Sequence, residues 1–264
     1  MAASAPQLVL GGAEALVRVG PVTVTPTGGQ LTVESGPWLR DPVTGCSRGA
    51  LGVPLDDVTG FLVAAAAPPG RWPVSLGIRL DLLADPPLDG SPLTARGELA
   101  GLDERGGTTR GTVTDARGGL LALVVQRSHL VAVDEAPSGA TPAPPPPGAG
   151  VSLRAALGVR AADPGVLELP PSVYTANGMG NLHGGILICS AEFAAAGALG
   201  ATGEFRTTSV DITYVRPADA RGATTFRPRV LHRGRSLAVV RVTALNSANK
   251  PCAIATVVLQ ERVR

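Results

Sequence analysis

Lysine is almost missing from this chain of 264 residues: Lys250 is the only one, and arginine supplies the remainder of the 23 basic residues. Set against 21 acidic residues, this leaves a net charge of +2, too small to imply a nucleic-acid or strongly acidic partner. Cysteine is scarce as well. Cys46, Cys189 and Cys252 are odd in number and far apart, which argues against a disulfide framework. With only His129, His183 and His232 beside them, no spacing resembles a zinc site. No apolar run reaches about 18 residues, so no membrane span is expected. The first twenty residues lack the basic region that opens a signal peptide. These absences lead to the expectation of a cytoplasmic protein without metal or redox cofactor. What is plentiful is apolar surface: 44% hydrophobic residues, 17% charged and a mean hydropathy of +0.22. Such a chain can bury a core and is not globally disordered.

The chain divides in the middle. Residues 135–150 read EAPSGATPAPPPPGAG, without apolar periodicity and with a proline run that favours extended polyproline II. This is a linker between an N-terminal half, 1–134, and a C-terminal half, 151–264. The halves resemble each other. Each opens with a short β-like run (22–25 with 30–33; 166–169) and continues through a turn-rich loop (41–49; 175–185). Each then has a long apolar, alanine-containing stretch (from Leu51; from Ile186) and ends in about four alternating runs at strand spacing. The second-half runs are 207–214, 224–231, 237–245 and 252–259. A helix that is apolar on nearly every face, as residues 186–199 are, must be buried on every face. A curved antiparallel sheet wrapped around one central helix satisfies this. Two such α+β units side by side, helices antiparallel, would be related by a pseudo-twofold axis.

One loop carries chemistry: Asn177-Gly178-Met179-Gly180-Asn181-Leu182-His183-Gly184-Gly185, followed by Glu192 nine residues after His183. Gly184 and Gly185 open a helix, where N–H groups lack intrahelical acceptors and face the positive dipole end. A carbonyl oxygen placed there is polarised, and a developing oxyanion more so. Glycine lets substrate approach the backbone closely, and Asn177 and His183 can hold the loop and a water by hydrogen bonds.

The loop resembles that of the hotdog-fold thioesterases, specifically the phenylacetate-pathway type, which carry Asn, Gly, His-Gly-Gly and then Asp or Glu. Asn177, Gly180, His183, Gly184, Gly185 and Glu192 match in type and spacing. Residues 210–214 and 216–218 also resemble that family's strand after the helix. The resemblance covers residues 166–259, and the weaker likeness of the first half implies a double hotdog. It further implies hydrolysis of an acyl-CoA or acyl-carrier thioester, with coenzyme A entering only as part of the substrate. It also places a small hydroxyl residue near the water, here Thr207.

Gly184 and Glu192 are eight residues apart, about 12 Å along a helix, whereas a base must lie within about 3 Å of its target or one water further. The working carboxylate must therefore come from the neighbouring helix, and the family's arrangement implies the same. Counting back through the repeat, Arg48-Gly49-Ala50 replaces His-Gly-Gly, Pro42 replaces the Asn, and Asp57 stands in register with Glu192. Two unlike sites are expected. One combines Asn177, His183 and Gly184 with Asp57 as nucleophile or general base. The other sets Pro42 and Arg48 against Glu192. Pro54 disturbs the first helix, so Asp56 is the near alternative to Asp57. Arg227, Arg229, Arg233 and Arg235 form either a solvated sheet face or a clamp for coenzyme A phosphates. The rival reading is a non-catalytic hotdog that binds an acyl thioester as a sensor. Assembly of several such chains into a homo-oligomer is compatible with either.

Overall fold

The computed structural model describes residues 10–25, 28–134, 137, 143–163, 165–200 and 203–262; most of the linker's first half lies outside the described residues. The first half runs α1 (Gly12–Val17), β1 (Thr23–Thr25), β2 (Gly28–Glu34), the small hairpin β3 (Arg40–Asp41) and β4 (Gly45–Cys46), α2 (Gly52–Ala66), β5 (Arg71–Leu82), β6 (Pro92–Leu102), β7 (Gly107–Thr114) and β8 (Leu120–Ala132). The second runs α3 (Leu153–Leu157), β9 (Arg160–Asp163), β10 (Val166–Leu169), α4 (Gly184–Leu199), β11 (Phe205–Tyr214), β12 (Thr224–Arg233), β13 (Leu237–Leu245) and β14 (Pro251–Glu261).

One twelve-stranded antiparallel sheet holds both halves, in the order β1-β2-β6-β7-β8-β5-β11-β14-β13-β12-β10-β9. The order reads the same from either end once each strand is exchanged for its counterpart, so the pseudo-twofold lies at the β5–β11 seam. There Asp81 pairs with Ser209 and Gly77 with Thr213. Each central strand carries a register shift at the corresponding place, between Ser75 and Gly77 on β5 and between Thr207 and Ser209 on β11. Strands alternate buried and exposed residues, as in β2 and β7, so one face of the sheet is committed to the core. This is a double hotdog: α2 and α4 each lie along the buried face of their own half.

The all-round apolar character of α4 is explained by its surroundings. Ile186, Ile188, Cys189, Phe193, Ala194 and Ala195 are all fully buried between sheet and partner helix. The stretch Arg48–Ala66 is long and apolar enough to cross a membrane by length and composition alone, but 78% of that window is buried inside the protein; it is a core helix. With Pro54 in its first turn, α2 begins at Gly52, later in the repeat than α4, which begins at Gly184 directly after His183, but Asp57 keeps its register. A 3-10 turn, Arg48–Leu51, leads directly into α2, and a proline in the first helical turn removes no intrahelical hydrogen bond.

The two helices cross head to head and antiparallel. Gly52 of α2 packs on Ile188, and Gly185 of α4 packs on the backbone of Gly52 and Val53. A Cβ on Gly185 would lie 2.4 Å from the Val53 Cα, which neither backbone can yield without parting the helices. Gly185→Ala should therefore lower stability by about 1–3 kcal/mol, the usual cost of overpacking. A urea midpoint unchanged from the parent would contradict this packing.

Candidate active site at the helix junction

The loop before α4 is built by its own polar side chains. Asn177 Oδ1 accepts from the N–H groups of Met179 (2.9 Å) and Asn181 (3.1 Å). Ala176 and Leu182 bridge the loop's base, and Gly180 turns it with φ +75°, where glycine alone is unstrained. The main-chain N–H of His183 donates to Thr175 O at 2.8 Å. Its ring then caps α4: Nδ1 accepts from the Gly185 N–H at 3.0 Å, closing an orphan donor of the first turn. The other ring nitrogen, Nε2, lies 3.0 Å from Asp57 Oδ1 and 3.5 Å from Glu14 Oε1. Asp57 reaches His183 from α2 across the helix junction, while Glu14 comes from α1.

Because Nδ1 accepts, we assign the ring proton to Nε2, donating to Asp57. Burial would depress the His183 pKa, but the hydrogen bonds and charges of Asp57 and Glu14 outweigh it and hold it well above the ordinary value. A second proton on Nδ1 would take the cap from α4, so the helix end opposes the charge that the carboxylates favour. Burial, with the Glu14 charge close by, pushes the Asp57 carboxyl up to about 7. Burial also works to raise Glu14, but His183 overcomes it and keeps that carboxyl below its usual range. Ligand atoms of Glu14, Asp57 and His183 lie within 4.8 Å of one another, close enough for a cation. A proton on Nε2 removes the lone pair a cation would need, and the set fits a hydrogen-bonded cluster better than a metal centre.

Asp56 does something different. Its Oδ1 accepts from Ser75 Oγ and from Gln126 Nε2, each at 3.0 Å, and Gln126 Nε2 also reaches Ser75 Oγ at 2.9 Å. Gln126 is held in turn by Thr59, whose hydroxyl donates to Gln126 Oε1. The remaining oxygen, Asp56 Oδ2, faces the start of α4, within 2.5 Å of where a Cβ on Gly184 would stand. A side chain at 184 would push the Asp56 carboxylate and the Tyr214 hydroxyl out of place. Tyr214 OH donates to the Gly184 carbonyl at 2.9 Å, fixing this first residue of the helix. Asp56, Asp57, Ser75, His183, Gly184 and Tyr214 all line a cavity of about 510 Å³. Its inner wall is apolar, with Phe61, Ala64, Trp72, Val74, Val131 and Leu187.

The pseudo-equivalent junction is closed. Arg48 takes the place of His183 and is 1% exposed. It forms an ion pair with Asp85 at 2.9 Å and donates to the carbonyls of Leu82 and Thr207. The Gly49 N–H, counterpart of that of Gly184, donates to Glu192 Oε2 at 2.8 Å. Burial pushes the Glu192 carboxyl up to about 7, although the Gly49 hydrogen bond pulls the other way. The counterparts of Asp56, Ser75 and Gln126 here are Ala191, Thr207 and Val257. The register makes this explicit: three residues beyond Ser75 and Thr207, Ile78 pairs with Gln126 and Val210 with Val257.

Several expectations are corrected by this geometry. Thr207 lies in the closed junction beside Glu192 and cannot hold a water at the open one; Ser75 occupies that place. Glu192 stands where the repeat placed it, at the closed junction opposite Arg48, and serves Gly49. Gly185 packs helix on helix and does not line the cavity. Nor do Arg227, Arg229, Arg233 and Arg235: the first two sit exposed on β12, and Arg233 donates to Leu199 O at the opposite end of α4. Asn177 lines the cavity, but its carboxamide oxygen is spent on the loop. Glu14, Ser75, Gln126 and Tyr214 escaped the sequence reading. The repeat offset that paired Asp57 with Glu192 leads from Thr207 to Trp72 and misses Ser75, because the connection from helix to strand differs in length between the halves.

Residues 173–260 match the family model described as acyl-CoA thioesterase N-terminal domain. The whole fold is similar to solved structures at low identity. A putative thioesterase II from Thermobifida fusca superposes with a TM-score of 0.67 at 12% identity, covering 96% of this chain and 100% of that one. A TesB protein from Mycobacterium avium subsp. paratuberculosis gives 0.66 at 14%, covering 95% and 98%. An acyl-CoA thioesterase II from Mycobacterium marinum gives 0.62 at 12%, covering 96% and 98%. Among curated proteins, no sequence matches.

Proposed function

We propose that this chain hydrolyses acyl-CoA thioesters at the open junction, with Asp56 as general base. The observation that carries the reading is the division of labour within one carboxylate: Oδ1 is held by Ser75 and Gln126, and Oδ2 faces Gly184 in the cavity. The thioester oxygen accepts from the Gly184 N–H at the positive end of α4. The closed junction displays the same contact internally, a carboxyl oxygen 2.8 Å from the equivalent Gly49 N–H. Asp56 Oδ2 takes a proton from a water as its oxygen bonds to the carbonyl carbon. The tetrahedral intermediate then collapses, the C–S bond breaks, and the proton passes from Asp56 to the leaving thiolate. Products are the carboxylic acid and free thiol. His183, held by Asp57 and Glu14, keeps the helix end capped and in place, and the apolar wall takes the acyl chain.

Thiol release from a panel of straight-chain, branched and arylacetyl-CoAs tests this; the arylacetyl members probe the phenylacetate-type resemblance. Turnover of at least one class is expected. Binding of a non-hydrolysable acyl-CoA analogue without turnover of any member would favour the sensor reading instead. The same analogue should titrate with one site per chain, because the second junction is filled by Glu192 and Arg48; two equal sites would overturn the assignment.

A further inference from the structure

Three carboxylates, those of Glu14, Asp56 and Asp57, line the cavity, and Arg216 is the one arginine or lysine among its lining residues. A polyanionic substrate must enter such a site with its charge kept at the Arg216 end. Arg216 is exposed, and among the described residues its guanidinium has neither a hydrogen bond nor an ion pair, whereas the nearby Arg221 is engaged by Asp219. Its backbone, by contrast, is firmly held. The N–H groups of Val215 and Arg216 both donate to Cys252 O, at 2.9 and 3.3 Å. Pro217 follows and restricts the chain. Ala218 O then accepts from the Leu182 N–H at 2.7 Å, one residue before His183. An unengaged guanidinium is thus mounted on a segment tied to the loop that opens α4, beside an apolar wall formed by Phe61, Trp72 and their neighbours.

We infer that Arg216 is the anchor for the phosphates of the coenzyme A moiety, and so the residue by which this site favours a coenzyme A thioester over one without phosphate. Guanidinium suits this task, because its planar donors match phosphate oxygens in pairs. The acyl group then points inward past Asp56, and the nucleotide stays outside the reach of the carboxylates. The inference rests on the thioesterase reading but is separable from it. The test compares an acyl-CoA with the same acyl group on pantetheine, which has the thioester and no phosphate. In Arg216→Gln, KM for the acyl-CoA should rise about tenfold with kcat unchanged, while both constants for the acyl-pantetheine stay at parental values. Adenosine 3′,5′-bisphosphate, measured by calorimetry, should bind the parent about tenfold more tightly than the variant. That readout stands even if no thioester is turned over. Equal losses on both thioesters, or equal nucleotide binding by parent and variant, would overturn the role of Arg216.

Discussion

Asp56→Asn should lower kcat by about 10²- to 10³-fold while leaving the fold and analogue binding intact. Asparagine is isosteric, and its Oδ1 can still accept from Ser75 and Gln126, so the network of α2, β5 and β8 survives. What is lost is the charge and basicity at the atom facing Gly184, and a positioned general base is worth about 10²–10⁴ in rate. Asp57→Asn provides the contrast. Its Oδ1 still accepts from His183 Nε2 (3.0 Å in the parent), so the cap on α4 is retained and kcat should change by less than about tenfold. Steady-state rates of the two variants on the best substrate decide between adjacent aspartates. Loss of turnover in Asp57→Asn, with Asp56→Asn near parental, would move the base to Asp57 and return His183 to the chemistry.

The second large effect is on stability and has a definite sign. Burial pushes the Glu192 carboxyl up to about 7 in the folded chain, from the 4.5 of an exposed glutamate. Between those values the native state holds a proton that the unfolded state has released, so this residue makes stability fall as pH rises from about 4.5 to 7. Above pH 7 its full penalty is present, about 3 kcal/mol at 1.36 kcal/mol per pH unit. Glutamine cannot ionise, and its Oε1 can keep the Gly49 N–H bond. Glu192→Gln should match the parent near pH 4 and exceed it by up to about 3 kcal/mol at pH 8, with kcat unaffected. Asp57 is raised as well and gives both proteins a common pH dependence, so the difference between their denaturation curves isolates Glu192. Parallel stability profiles across this range would show that Glu192 keeps an ordinary pKa.

What could be read from the chain was whatever repeats along it. The two long apolar helices, the antiparallel runs after each, and the glycine-rich start of α4 are local patterns, and the offset between the halves correctly directed a carboxylate of α2 at His183. Asp56 and Asp57 were harder to separate. Successive helical residues point about 100° apart, and which of the two turns to Gly184 and which to His183 depends on how α2 rotates against α4, a matter settled by Gly52 and Gly185. Ser75 and Gln126 are ordinary strand residues until β5 and β8 pair. Glu14 lies on a short helix within a segment that the sequence marked only as lacking the basic start of a signal peptide. The arginine cluster misled because charge density along a strand says nothing about which end of the neighbouring helix it meets; Arg216, alone at the end of β11, had no cluster to mark it.

The Pro-rich linker has a consequence for how such a protein must be made. If the halves were separate chains, each could pair with itself across the β5–β11 type of seam. Two second halves would set the His183 loop against Ala191 and Glu192; two first halves would set Asp56 against Arg48. Neither self-pair contains both a capped glycine loop and a carboxylate held by Gln126. Only the mixed pair does. Covalent tethering fixes the stoichiometry at one to one and raises the effective concentration of the correct partner to the millimolar range typical of short linkers. Dissimilar halves can then keep their separate specialisations without losing most of the population to sterile combinations.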